Sequence, residues 1–100
     1  MIEHLVLINF RPETPPEVRD ECVQRLRDLA NLVPGQGSWR VGLNVTEMSR
    51  AWDLAIAGEF NSLDDMFDYR AHPTHRQAQA FVDQWTAQTV GADFEFPNSP

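Results

Sequence analysis

The sequence has a single cysteine, Cys22, among its 100 residues. One cysteine cannot close an internal disulfide, and no Cys/His cluster has the spacing of a zinc site. Cys22 lies in a stretch of helical periodicity, where a free cysteine ordinarily serves as a small buried side chain. The scarcity of cysteine therefore predicts a fold without disulfides and without a bound metal.

Long apolar runs and basic N-terminal residues are absent as well. The longest apolar run, Leu5–Ile8, is far shorter than the roughly 20 residues that cross a bilayer. An acid, Glu3, stands where a secretory signal peptide would carry basic residues. These absences predict a protein that does not associate with a membrane and is located in the cytoplasm.

Positive charge is scarce too. The chain carries 8 basic residues against 15 acidic ones, which gives a formal net charge of −7. A protein that binds nucleic acid presents a basic face to the phosphates. The charge balance therefore argues against nucleic acid as a partner.

The remaining composition fits one small globular domain. Hydrophobic residues make up 42% and charged residues 23% of the sequence, which is typical of a domain near the modal size. We predict one domain over residues 1–97 and a short tail over residues 98–100. Because a domain this small buries a modest fraction of its surface, self-association would add stability.

Hydrophobic periodicity predicts the order β-α-β-β-α-β, with the second helix broken at a proline. The predicted strands cover residues 2–10, 38–46, 52–60 and 90–96. The predicted helices run from Pro16 to Leu32, from Ser62 to the break at Pro73, and from there to Gln88, with a turn at Pro34–Gly37 after the first. The predicted inward side chains are Val18, Cys22, Val23, Leu26, Leu29 and Ala30 in the first helix and Leu63, Met66 and Phe67 in the second. This order indicates an α+β, ferredoxin-like fold with an antiparallel sheet and both helices on one face.

The predicted sheet is apolar on both faces. The first strand places Ile2, Val6, Ile8 and Phe10 on one face and Leu5 and Leu7 on the other. The third strand has one bulky face and one face of mostly small residues, such as Ala55 and Ala57. Since two helices cover only one face, the second face must meet another surface. We therefore predict a homodimer in which two copies pack sheet against sheet.

One short block concentrates the reactive side chains. Residues 69–75, Tyr-Arg-Ala-His-Pro-Thr-His, hold the one tyrosine of the chain and two of its three histidines. Pro73 suits the first turn of a helix and pushes His72 out of the helical region. Tyr69 and His75 are thus predicted to meet at the corner between two helices.

The direction of His75 follows from its helix. It shares the apolar stripe of Ala78, Phe81, Val82 and Trp85, so it should point into the protein. The alternative is a histidine that caps the helix beside a tyrosine that belongs to the core.

The third histidine, His4, falls on the same face of the first strand as Ile2, Val6 and Ile8. It is either a hydrogen-bonded core side chain or a third member of the site. Further candidates for contacting a ligand are Val6, Leu54, His72 and Trp85. Tryptophans at such positions line pockets, and they also build cores.

Four blocks of the sequence span nearly the whole chain. They are Ile2-Glu3-His4-Leu5-Val6-Leu7, Asp53-Leu54-Ala55 leading to Phe60-x-Ser62, Tyr69-x-x-His72-Pro73-x-His75, and Asp93-Phe94. In this order they resemble the stress-responsive A/B barrel (Dabb) domain family. The resemblance implies a dimeric α+β barrel, in which two ferredoxin-like units close their sheets around a shared interior.

The resemblance also implies a site. In a plant polyketide cyclase of this kind, a linear poly-β-keto thioester closes by an aldol condensation without a cofactor. Its acid/base pair is similar to Tyr69 and His75, its first-strand histidine is similar to His4, and it has a histidine where this chain has Leu54. The resemblance thus implies catalytic roles for His75, Tyr69 and His4, with no cofactor and no metal.

Three functions remain open at this point. The first is a small homodimeric protein that binds a small hydrophobic or carbonyl-containing molecule near Tyr69 and His75, or serves a stress response without catalysis. The second is a cofactor-independent cyclase or isomerase, in which a histidine abstracts a proton next to a carbonyl and a tyrosine hydroxyl donates to the enolate. The third is haem-degrading oxygenase chemistry, as in other dimeric α+β barrels.

Overall fold

The computed structural model describes residues 1–32 and 36–97. Its elements, in chain order, are β1 Ile2–Phe10, α1 Pro16–Leu32, β2 Gln36–Leu43, β3 Leu54–Phe60, α2 Leu63–Ala71, α3 Pro73–Asp83 and β4 Thr86–Glu95. The predicted tail, residues 98–100, and the first half of the predicted turn, residues 34–35, lie outside the described residues. In the described part of the chain, no helix is both long and apolar enough to span a membrane.

The strands form one antiparallel sheet in the order β2-β3-β1-β4. β1 is central and pairs with β3, from Ile2 opposite Phe60 to Ile8 opposite Leu54. On its other side β1 pairs with the edge strand β4. This order and the antiparallel directions confirm the predicted α+β, ferredoxin-like fold.

The pairing register sorts the side chains into two faces, because directly opposed residues share a face. The face under the helices carries buried residues of β1, β2 and β3, namely Ile2, Ile8, Phe10, Val41, Leu54, Ile56 and Phe60. The other face carries Leu5 and Leu7 opposite Ala57 and Ala55. The predicted division of the third strand into a bulky face and a face with small residues is confirmed.

The last helix is shorter and the last strand longer than the sequence predicts. α3 ends at Asp83, not near Gln88, and β4 begins at Thr86, not at Val90. Residues 86–89 leave the helix because they pair with the end of β1. Ladder hydrogen bonds to the central strand satisfy the backbone groups that a longer helix would have satisfied. Tertiary pairing therefore overrides the apolar helical spacing.

Several side chains predicted to be buried are exposed. Val45 falls on the apolar face of the predicted second strand, but it is 95% exposed. The reason is that β2 ends at Leu43, which pairs with Leu54, the first residue of β3. Leu63 and Phe67 are exposed because α2 packs through the adjacent stripe of Met66 and Tyr69. Ala30, at the edge of the buried stripe of α1, is also exposed.

The indole of Trp39 covers Gly58 on the neighbouring strand. A Cβ atom at Gly58 would overlap the six-membered ring of Trp39. Trp39 also donates from Nε1 to the carbonyl oxygen of Leu26 on α1, at 2.9 Å, and its ring contacts that of Tyr69. This close approach requires glycine at position 58, and it fixes Trp39 against the sheet.

Gly58→Ala is therefore expected to destabilise the protein through steric overlap. Overpacking of this kind costs about 2 kcal/mol, which lowers the Tm of a domain of this size by roughly 10 °C. Thermal unfolding followed by circular dichroism measures the effect. Gly42→Ala is the matched control, because a Cβ there meets nothing within 4 Å. Equal Tm values for the two variants would contradict this packing argument.

Candidate functional site

A cavity of about 400 Å³ opens between α3 and the sheet, on the side of the edge strand β4. The cavity exists because the helices pack on the other three strands. Residues 87–95 of β4 are all exposed, including those on the helix side of the sheet. The volume lies within the range of small-molecule sites.

The cavity has an apolar floor and two polar walls. The floor is formed by Val6, Ile8, Leu26, Ile56 and Val82. One wall is a row on α3, His75, Gln79 and Asp83, at the four-residue spacing that aligns side chains on a helix. The other wall is a row on β4, Thr89, Gly91 and Asp93, at the two-residue spacing of one strand face. Tyr69, Arg70 and His4 also line the cavity.

Tyr69 reaches the cavity from the buried side of α2. Its side chain is 2% exposed and packs against the rings of Phe60 and Trp39. Burial raises the pKa of Tyr69 far above its ordinary value, so the hydroxyl keeps its proton at neutral pH. Within residues 1–32 and 36–97 the hydroxyl has no hydrogen-bond partner. The hydroxyl is therefore available to donate to a bound molecule.

The break between α2 and α3 positions His75. His72 has φ −66° and ψ 136°, the extended conformation expected before a proline. Its Nδ1 accepts a hydrogen bond from the backbone N–H of Thr74 at 3.1 Å, so the His72 ring caps α3. α3 then begins at Pro73, and the His75 ring lies 4.5 Å from the Tyr69 ring, centroid to centroid. The two side chains meet at the corner.

The hydrogen bonding of His75 defines its protonation. Nδ1 lies 3.1 Å from the carbonyl oxygen of Arg70. A carbonyl oxygen only accepts, so Nδ1 carries the proton and Nε2 keeps its lone pair in the neutral ring. Burial lowers the pKa of His75, and the charges of Arg70 and His4 lower it further, against the opposing effects of the Arg70 carbonyl and Asp83. His75 is thus a neutral base at neutral pH.

The lowered pKa of His75 predicts a pH-dependent stability. In the unfolded chain His75 titrates near 6.5, and in the folded protein it titrates lower. As pH falls below 6.5 the unfolded chain gains the proton first, so the free energy of unfolding decreases. We expect His75→Gln to lose less Tm than the wild type between about pH 7 and about pH 5. Identical losses in the two proteins would contradict the assignment.

His4 is held at the cavity by a carboxylate of the neighbouring strand. His4 on β1 lies directly opposite Asp93 on β4, and His4 Nδ1 is 2.5 Å from Asp93 Oδ1. The carboxylate accepts, so Nδ1 donates and the second ring nitrogen is left free. The rings of Trp39 and Phe60 pack against the imidazole. Asp93 therefore fixes the orientation of His4.

Some positions predicted to contact a ligand lie elsewhere. Val6 lines the cavity, but Leu54, His72 and Trp85 do not. Leu54 is 1% exposed within the core, and the His72 ring is engaged in capping α3. Trp85 follows the end of α3, and its carbonyl oxygen accepts from the backbone N–H of Arg11 at 2.8 Å. These three side chains lie outside the lining of this cavity.

Polar residues that periodicity does not single out also line the cavity. Asp93 requires the β1–β4 register, which no local pattern reveals. Gln79 has a local signal, since it lies four residues after His75 on the same helix face. Arg70 precedes the break and borders the cavity beside His75. Across residues 1–32 and 36–97, no group of three or more His, Cys, Asp or Glu side chains is arranged to hold a metal ion.

The fold and the cavity define a small α+β protein of the ferredoxin-like class. The chain belongs to the family described as the stress responsive A/B barrel domain, whose model matches residues 2–96. An uncharacterized protein of Streptomyces coelicolor is 32% identical over 103 residues, which covers 96% of this chain and 100% of that protein. The predicted family is confirmed.

Solved structures share the fold. A dimeric protein with a ferredoxin-like fold from Bacteroides fragilis is 27% identical, with a TM-score of 0.85 and 95% of each chain covered. A hydroxynitrile lyase from Passiflora edulis also has a TM-score of 0.85, with 98% of this chain and 94% of that chain covered. Its identity to this chain is 14%, so that likeness concerns the fold alone.

Proposed function

We propose that the protein binds a small carbonyl compound in the cavity and moves a proton at the carbon next to the carbonyl, without a cofactor. One observation carries the proposal. A single cavity reaches both Tyr69 and His75, whose rings are 4.5 Å apart. His75 can act as a base because its Nε2 keeps a lone pair, and Tyr69 can act as a donor because its hydroxyl keeps its proton.

In this proposal His75 takes the proton. Its Nε2 accepts the proton from the carbon, and the electron pair of the C–H bond moves to the carbonyl oxygen, which becomes an enolate. The carbonyl oxygen of Arg70 holds the ring in place during this step. The protonated ring then returns the proton to the same carbon or to another one, so atoms and electrons balance without a further reactant.

Tyr69 stabilises the enolate in this scheme. Its hydroxyl donates a hydrogen bond to the oxygen on which charge develops. The raised pKa of Tyr69 keeps the donor protonated, and burial strengthens the bond because the surroundings screen it little. His4, oriented by Asp93, shapes the cavity beside this pair.

Proton transfer is tested by deuterium uptake from heavy water, followed by NMR. The compounds are small enolisable ketones and poly-β-keto thioesters. The proposal predicts uptake above the buffer background for at least one compound. Binding to the cavity without exchange or turnover across the panel would instead favour the second candidate, a non-catalytic binding protein.

We also propose that the protein is a homodimer through the face of the sheet opposite the helices. On that face Leu7, Val90 and Phe94 are between 38% and 47% exposed, a large apolar area for a monomer. They belong to β1 and β4, whereas the β2 and β3 half carries the small residues Gly42, Ala55 and Ala57 along a groove. A two-fold axis along the strands places the bulky half of one copy on the small half of the other.

The Bacteroides fragilis relative, which is dimeric, supports this assembly. Light scattering coupled to size-exclusion chromatography tests it. The expected mass is twice the 11.4 kDa of the chain. A stable monomer at micromolar concentration would contradict the proposal.

A further inference from the structure

Arg70 is a cation at the cavity that has no anionic partner in the part of the chain that the structure describes. It lines the cavity and is exposed to solvent. The ion pairs within residues 1–32 and 36–97 join His4 to Asp93, Arg19 to Asp53 and Arg25 to Glu21, and none includes Arg70. Its guanidinium lies close enough to His75 to lower the pKa of that ring.

The two carboxylates that share the cavity leave Arg70 free. Asp93 is occupied by His4. Asp83 lies eight residues after His75 on α3, which places it about 12 Å further along the helix axis. Arg70, at the end of α2, lies beyond His75, at the opposite end of the cavity wall from Asp83. The cavity is therefore positive at the Arg70 end and negative at the Asp83 end.

We propose that the natural ligand is a carbonyl compound that also bears a carboxylate, and that Arg70 binds the carboxylate while the carbonyl lies at Tyr69 and His75. This inference rests on the proposed function and names its substrate class. Arginine presents a planar fork of donors that matches a carboxylate. A single arginine among two acids, in a chain of net charge −7, suits a monoanion better than a dianionic phosphate.

This arrangement would couple binding to catalysis. Burial is the main cause of the lowered pKa of His75, and the Arg70 charge adds to it. A carboxylate on Arg70 offsets the part due to that charge, so the bound substrate makes His75 a stronger base. Arg70 is thus a specificity-determining residue that acts at a distance from the reacting carbon.

A matched pair of probes tests the inference. Phenylpyruvate is an enolisable acid, and its methyl ester has the same carbon skeleton without the charge. Binding of each is measured by titration of the 15N-labelled protein, for the wild type, Arg70→Gln and Arg76→Gln. Arg76 is the control because it is an exposed arginine near His75 that does not line the cavity.

We expect the wild type and Arg76→Gln to bind the acid about tenfold more tightly than the ester, and Arg70→Gln to bind the two alike. Equal binding of the two probes by the wild type, failure of the acid to bind, or a preference that survives Arg70→Gln would overturn the inference.

The outcome is separable from that of the proposed function. Deuterium uptake that depends on His75, together with no preference for the acid, would leave proton transfer standing and remove the carboxylate site. An acid preference that depends on Arg70, without any exchange across the panel, would leave the carboxylate site standing and remove the catalysis.

Discussion

His75→Ala is expected to reduce deuterium uptake by about a hundredfold or more, the usual scale for loss of a general base. Alanine removes Nε2, the only atom in the proposal that accepts the proton from carbon. Tyr69→Phe should cause a loss of about the same size, because it removes the enolate donor and keeps the ring that packs on Phe60. NMR exchange rates at saturating substrate measure both effects.

The matched control for this prediction is His72→Asn. His72 lies three residues before His75 and outside the cavity lining, and asparagine keeps a side-chain acceptor for the backbone N–H of Thr74. We expect its exchange rate to stay within about twofold of the wild type. Equal loss in His72→Asn and His75→Ala, or a His75→Ala protein that no longer folds, would assign His75 a structural role.

Ile56→Asp is expected to leave little folded protein. Ile56 is 6% exposed, at the centre of the buried face of β3 and opposite Val6. An unpaired carboxylate there loses its hydration without gaining a partner, at a cost of about 4 kcal/mol or more. That cost is comparable to the whole stability of a small domain, roughly 5–15 kcal/mol. The measurements are soluble yield and the circular dichroism spectrum.

An aspartate on the face of the sheet opposite the helices should affect assembly and not folding. Leu7 is 38% exposed and lies opposite Ala55, on the face proposed to meet the second copy. Leu7→Asp is therefore expected to fold and to shift the mass in solution from dimer to monomer. A folded Ile56→Asp protein would contradict the assignment of the buried face, and a dimeric Leu7→Asp protein would contradict the proposed interface.

Local signals predicted most of the fold. The alternating apolar pattern of β1 gave its bounds correctly as Ile2–Phe10, and α1 ended where its periodicity ended, at Leu32. Ser62 caps α2 by accepting from the backbone N–H of Asp65, at the residue where the sequence predicts the helix to begin. The boundaries that failed, at the end of α3 and the end of β2, depend on which strands pair.

The sequence by itself determined the order of the elements, the two apolar faces of β1 and the corner at Pro73. These features depend on residue spacing and on backbone constraints within a few neighbours, so no contact across the fold is needed to infer them. The pairing of Tyr69 with His75 belongs to this group, since the two residues lie six positions apart in the chain.

Only the tertiary structure decided which other side chains share the cavity. His4 meets Asp93 across 89 residues of sequence because β1 and β4 pair in one register, and a shift of one residue would turn Asp93 to the opposite face. The cavity itself exists because the helices leave β4 uncovered. The position of the cavity decides which side chains can contact a ligand. Arg70 and Gln79 border it, whereas Leu54 and Trp85 do not. Register and coverage are properties of the assembled sheet, so they have no local signature in the sequence.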